Sequence, residues 1–156
     1  ELGVSLEVSV FGRIPLALSA RCYHARAHGR VKDNCQFVCD QDPDGMQLHT
    51  LDDQPFLAIN GIQTLSHTCL NLLHHLHEMQ GMGVRAFRLS PHSGDMVEIA
   101  NLFRRVLDRE LEPAQASERL AEIGPERWRA GAGAAFSNGF YHGREGFSWV
   151  EPGQAV

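Results

Sequence analysis

An α/β fold is predicted by two features of this sequence: strand-like runs rich in Val, Leu and Phe are followed by helix-like stretches, and Gly, Pro and Asn punctuate the joins. Size agrees, since 156 residues with 43% hydrophobic and 21% charged side chains can bury a real core. Strands followed by helices favour part of a parallel (β/α) barrel of the TIM type over an open sheet. The chain starts at Glu1 and enters a strand almost at once. Residues 1–156 are therefore expected to be the C-terminal portion of such a barrel domain, an incomplete fragment, with a Cys-rich loop over 22–39.

The elements follow in order. Leu6, Val8 and Val10 alternate with Glu7 and Ser9, the period of a half-buried strand, and residues 15–18 form a second short apolar run just before Arg21 and Cys22. Residues 40–45 read as a turn, followed by strands over 46–51 and 55–59, with Asn60-Gly61 as punctuation. From 62 to 80 the residues Ile62, Leu65, Cys69, Leu72, Leu73, Leu76 and Met79 recur at helical spacing. That pattern predicts an amphipathic helix ended by Gly81 and Gly83, with Cys69 a core thiol on its apolar stripe. Residues 84–89 predict a strand. Ser90 or Ser93 would then cap a helix from about 94 to 111, packed through Met96, Ile99, Ala100, Phe103 and Leu107, with Arg104, Arg105 and Asp108 outward. Pro113 opens a shorter helix carrying Leu120 and Ile123, and Gly124-Pro125 closes it. The tail from Gly131 combines glycine with Phe136, Phe140, Tyr141, Phe147 and Trp149.

Most of the chemistry lies in Cys22, Cys35 and Cys39, spaced C-x12-C-x3-C. Thiolates three to four residues apart can reach one centre from a single turn, and a third at longer range closes the loop around it. An iron–sulfur cluster is the first reading. Zinc competes, although its usual pattern is two short Cys pairs, and unligated thiols are the third alternative. Three ligands leave a set one short, to be completed by Cys69, by a residue outside this chain or by an exchangeable ligand. Four cysteines without a leading apolar segment argue against a disulfide scaffold and predict a reducing, cytoplasmic setting.

A net charge of −5 excludes a general nucleic-acid surface but leaves room for a local one. Thirteen of the fourteen basic residues are Arg, and Arg13, Arg21, Arg26 and Arg30 gather with Lys32 around the cysteines. Arg offers a bidentate fork to carboxylate or phosphate, and the same charges would balance a thiolate site. No run approaches the roughly 20 apolar residues of a membrane helix, so lipid would be met at a surface or through a partner. Of the nine histidines, His67, His74, His75 and His77 fall on the predicted helix and read as a solvated polar face. His24, His28 and His92 lie in or beside the candidate loops and could move a proton near neutral pH. There is no nucleophile elbow, phosphate loop or dinucleotide fingerprint, and Gly131-Ala132-Gly133 follows no convincing strand.

Several separated blocks carry a resemblance. They are the run from Phe11-Gly12-Arg13 to Arg21-Cys22, Lys32-Asp33-Asn34-Cys35 with Cys39, Asn60-Gly61-Ile62-Gln63-Thr64, Met79-Gln80-Gly81, Arg88-Leu89-Ser90-Pro91 and Asn138-Gly139-Phe140-Tyr141. Together they resemble the C-terminal half of proteins of the peptidase U32 family. The resemblance implies an iron–sulfur subunit of an oxygen-independent hydroxylase in ubiquinone biosynthesis, heterodimeric with a UbiU-like partner and served by a lipid-carrier accessory protein. It implies a 4Fe-4S cluster on four cysteines. Cys22, Cys35 and Cys39 match three of them, the fourth lies upstream of this chain, and Cys69 matches no ligand position; zinc could occupy the fragment instead. Related members hydroxylate prenylated aromatic rings or RNA bases, with prephenate as the implied hydroxyl donor. Arg13 and Arg21, which flank the strand end delivering Cys22, are therefore the expected partners of an aromatic dicarboxylate. RNA base hydroxylation and a metal-stabilised non-catalytic module remain the alternatives, and the sequence offers no protease site.

Overall fold

The computed structural model describes residues 3–124 and 135–154. In chain order the elements are β1 (Leu6–Leu18), α1 (Tyr23–Ala27), β2 (Met46–His49), β3 (Pro55–Asn60), β4 (Gln63–Asn71), α2 (Leu76–Gly81), β5 (Val84–Leu89), α3 (Met96–Leu107), α4 (Pro113–Ile123) and β6 (Phe136–Ser137). Single 3₁₀ turns lie at Lys32–Asn34, Val38–Gln41 and Leu73–His75. The mixed α/β class stands. Six strands are linked in the order β2-β3-β4-β1-β5, with β6 beside β4, and among the described residues this ladder does not close on itself. The chain divides into two compact units, one holding the residues up to Gly12 and from Thr68 onward, the other Arg13–His67.

In the first unit β1 and β5 run parallel, from Leu6 opposite Val84 to Phe11 opposite Leu89, and Cys69 and Leu70 of β4 pair in parallel with Phe136 and Ser137 of β6. Parallel pairing needs a long crossover: from β4 to β6 it runs through α2, β5, α3 and α4, and from β1 to β5 through α1, the strands β2 to β4 and α2. The core holds Val10, Phe11, Leu73, Leu76, Met79, Ile99, Leu102, Phe103, Val106 and Leu120. The Phe11 and Phe103 rings meet edge to face at 5.6 Å. Burial of each such side chain contributes about 1.5–3 kcal/mol. The α3 face is Ile99, Leu102, Phe103 and Val106, so Leu102 and Val106 replace the expected Ala100 and Leu107, while Arg104, Arg105 and Asp108 are exposed as predicted. Its N-cap is neither serine: Asp95 Oδ1 accepts from the Val97 and Glu98 amides at 3.1 and 3.0 Å. Pro113 opens α4 and Gly124 ends it.

In the second unit β2, β3 and β4 form an antiparallel meander, with Ala58 opposite both Gln47 and Leu65. Asn60 pairs with Gln63, leaving Gly61-Ile62 as a two-residue hairpin loop with Gly61 at φ +60°, the arrangement that requires glycine at the first loop position. The expected helix over 62–80 is thereby corrected: its first half is strand β4 and only Leu76–Gly81 is α-helical. Cys69 is buried as a core thiol, but on a strand. The histidines expected to share a helical face are divided accordingly: His67 lies in β4, His74 and His75 in the 3₁₀ turn and His77 in α2. The stretch Gly131-Ala132-Gly133 lies outside the described residues.

Candidate metal centre and cationic cleft

The candidate site belongs to the Arg13–His67 unit. The two apolar runs expected before Cys22 are one strand, β1, carried through Arg13 and Pro15 to Leu18. Cys22 follows as the N-cap of α1, where its Sγ accepts the Ala25 amide at 3.3 Å. Cys35 ends the turn Lys32–Asn34, and Gln36 and Phe37 then take left-handed φ values of 51° and 53°. Left-handed backbone is unfavourable for side-chain-bearing residues and gathers at functional sites. Its local effect is to bring the Phe37 amide to 3.4 Å from Cys35 Sγ and to send the chain into the turn that carries Cys39.

Cys22, Ala25 and Val38 form a small apolar cluster against which Cys35 packs. All three site cysteines are free thiols, Cys22 buried and Cys35 and Cys39 half-buried. The donor set suits a thiolate-held cluster: three thiols on adjacent short elements, two of them receiving backbone N–H groups. Cys69 lies in the other unit, its thiol 3.6 Å from the Leu70 carbonyl.

Beside Cys22 opens a cleft of about 700 Å³ lined by Arg21, Arg26, Arg30 and Lys32, with Ala20, Val31 and Asp33. Four cations face one carboxylate there. Arg30 also hydrogen-bonds Gln36 Oε1, tying the cleft wall to the strained turn. The two arginines singled out from sequence part company here. Arg21 is exposed and lines the cleft, whereas Arg13 is buried and its Nη1 donates to the Ser66 and His67 carbonyls at 2.5 and 2.7 Å.

His24 is fully buried in the same unit, with Nδ1 3.2 Å from the Ile59 carbonyl and Nε2 2.9 Å from Asp42 Oδ2. The His28 ring stacks on it at 5.5 Å. Sequence reading placed both histidines beside the cysteines but had no route to Asp42, which arrives from the turn before β2.

The other unit holds a second polar cluster, equally hidden from sequence. His142 Nε2 meets His75 Nε2 at 3.2 Å, the Tyr141 ring lies 4.4 Å from His75, and Glu78 stands 3.6 Å from His75 Nδ1. Burial, followed by the neighbouring His142, lowers the pKa of His75 from 6.5. Burial likewise lowers that of His74, against the opposing pull of Glu151, and His74 Nε2 shares a 2.8 Å hydrogen bond with Ser117 Oγ. Burial and then Glu78 push the Tyr141 phenol up to about 12. His77 Nε2 donates to the Val106 carbonyl at 2.7 Å. The expected solvated histidine face is therefore overturned, because these rings are engaged with side chains and carbonyls. His92 is buried in the same unit and accepts the Ser93 amide through Nδ1.

No helix among the described residues is long and apolar enough to cross a membrane. The sequence model of peptidase family U32 matches residues 1–151. No solved structure matches the chain.

Proposed function

Because the chain belongs to peptidase family U32, we propose that it is the C-terminal part of a UbiV-like protein, an iron–sulfur subunit of an oxygen-independent hydroxylase of ubiquinone biosynthesis. The observation that carries this reading is the juxtaposition of three free thiols, Cys22, Cys35 and Cys39, with a cleft walled by Arg21, Arg26, Arg30 and Lys32. Cys22, Cys35 and Cys39 would hold three corners of a 4Fe-4S cluster, and a residue outside this chain the fourth. When bound, such a cluster supplies one-electron transfer. The protein's own contribution is to set the environment. The Ala25 and Phe37 amides donate to two of the sulfurs, and hydrogen bonds of this kind tune a cluster's potential.

The cleft supplies recognition. Its volume falls in the range of small-molecule sites, and three guanidinium groups with one ammonium suit a compact dicarboxylate such as prephenate, which Arg can grip bidentately. Arg21 is the residue in this role. Arg13 acts behind it as a positioning residue, holding β1 to the Ser66–His67 carbonyls so that the strand end delivers Arg21 and Cys22 together. The parallel pairs β1–β5 and β4–β6 and the strand–helix alternation from β4 through α2, β5, α3 and α4 to β6 support a portion of a (β/α) barrel. A UbiU-like partner, a lipid-carrier accessory protein and a cytoplasmic setting complete the proposal.

The test uses the complete protein purified anaerobically with its partner. Replacing Cys22, Cys35 or Cys39 singly with Ala should remove most of the visible sulfur-to-iron absorbance and the acid-labile sulfide. Full iron and sulfide in all three variants would overturn the assignment.

A further inference from the structure

A second metal site, independent of the thiols, follows from the surroundings of His24. The Ile59 carbonyl can only accept, so the 3.2 Å contact places the ring hydrogen on Nδ1. Nε2 is then left 2.9 Å from Asp42 Oδ2. A bare lone pair facing a carboxylate at that distance is repulsive. Either a proton or a cation must lie between them, and the third group decides which. A ring nitrogen of His28 lies within 4.8 Å of both donor atoms; its ring now stacks on His24 and has to turn for its in-plane lone pair to reach the same ion, which an exposed side chain at the end of α1 is free to do. A second imidazole adds nothing to an imidazolium–carboxylate pair and would be repelled if it too were charged. It is a suitable third ligand for a metal ion.

We propose that His24, His28 and Asp42 bind one divalent transition cation of the zinc class. Donor atoms about 2.1 Å from one ion stand about 3 Å apart at right angles and about 3.4 Å apart tetrahedrally, so the His24–Asp42 spacing is already close to that of ligands sharing an ion. The Ile59 carbonyl on Nδ1 is the outer contact that fixes the tautomer and aims a ligating histidine. Two imidazoles and one carboxylate select ions of the zinc, cobalt or ferrous type over calcium or magnesium. His28 is exposed and Asp42 partly so, which leaves a face open for a water or a small ligand on the metal. Sequence provides the local half of the set, two histidines four residues apart around one short helix, and the fold brings Asp42 to them.

The test is zinc titration of the complete protein carrying Cys22→Ser, Cys35→Ser and Cys39→Ser, which removes the three thiols of the proposed cluster; Ser retains an acceptor at the α1 N-cap. One zinc per chain is expected, and in the same background His28→Ala and Asp42→Asn should each weaken binding at least tenfold. Cobalt should give ligand-field bands without the near-ultraviolet charge transfer of a thiolate. No saturable binding, or binding within twofold of the parent in both variants, overturns the proposal. Should the triple variant fail to fold by circular dichroism, ring ¹⁵N resonances of the unsubstituted protein decide: with added zinc, a shift of one ring nitrogen of His28 and of His24 Nε2 to metal-bound values, lost in Asp42→Asn, supports the site, and neither nitrogen becoming metal-bound at saturating zinc refutes it. Iron and sulfide content plays no part in either readout, so this site and the cluster can fail separately.

Discussion

Arg13 and Arg21 illustrate what a residue's neighbours decide and its type does not. Both precede Cys22 and both are arginine, so sequence had reason to treat them alike. Arg13 is buried on two carbonyls and Arg21 stands in an open cleft. Hydrogen bonds from a charged donor are worth about 1.5–3 kcal/mol, and stranding two buried acceptors adds to the loss. Arg13→Gln is therefore expected to lower unfolding free energy by about 2–3 kcal/mol in urea titrations. Arg21→Gln should change it by no more than about 0.5 kcal/mol; on the proposed function it should also lower quinone production by the complete protein while leaving its visible spectrum intact. An Arg21 variant with a normal quinone yield would remove it from the substrate role. The spacing of the cysteines is local information and can be read from sequence, and so is that of His24 and His28. Asp42 was not legible, because a turn between two unrelated elements carries it to His24.

At the scale of elements, the strand β4 shows where periodicity misleads. Ile62, Leu65, Cys69 and Leu72 lie at helical spacing, yet Asn60-Gly61 directly before them is a hairpin signal, and Thr64 and Thr68 are β-branched. The segment also buries Ser66 and Thr68 next to Cys69 and Leu70, a strand covered on both faces in which polar and apolar side chains are buried together and no single face stands out. Strand β5 and helix α4 were legible because a β-rich run bounded by turns and a Pro-initiated segment are strong local signals. For α3 the expected caps were Ser90 or Ser93, and the fold instead uses Asp95, the residue directly before the helix; Asp95→Ala should cost about 1 kcal/mol. The close approach between β1 and the end of β5 is stricter. Gly12 has φ +104°, and a Cβ there would lie 2.6 Å from Ser90 Cβ and 2.8 Å from its carbonyl oxygen. Gly12→Ala combines backbone strain with overpacking, so a loss of about 2–5 kcal/mol is expected in thermal or chemical unfolding. A variant as stable as the parent would mean that β1 and the β5 end can separate without cost.

At the scale of the whole molecule, alternation of strand and helix was sufficient for the α/β class, but not for the antiparallel β2–β3–β4 meander, which depends on recognising a single two-residue loop. The histidines link this scale to solution conditions. His74 and His75 both have pKa values lowered from 6.5, chiefly by burial, so the folded chain prefers these rings neutral. An unfolded chain would take up protons on them as the pH falls below about 6.5, while the folded chain does so only at lower pH. Between those two points the unfolded state binds more protons, and stability must fall with falling pH. Their contribution is fully present above about pH 7, declines below 6.5 and levels off once the folded-state values are passed. Carboxylates also titrate at the acid end, so the measurement is a difference: urea unfolding at pH 7.5 and 5.5 for the parent and for a His74→Gln, His75→Gln double variant. The parent is expected to lose more stability over that interval than the variant. Equal losses would show that burial of the two rings does not govern the acid side of the stability profile, and a greater loss in the variant would reverse the sign assigned to them.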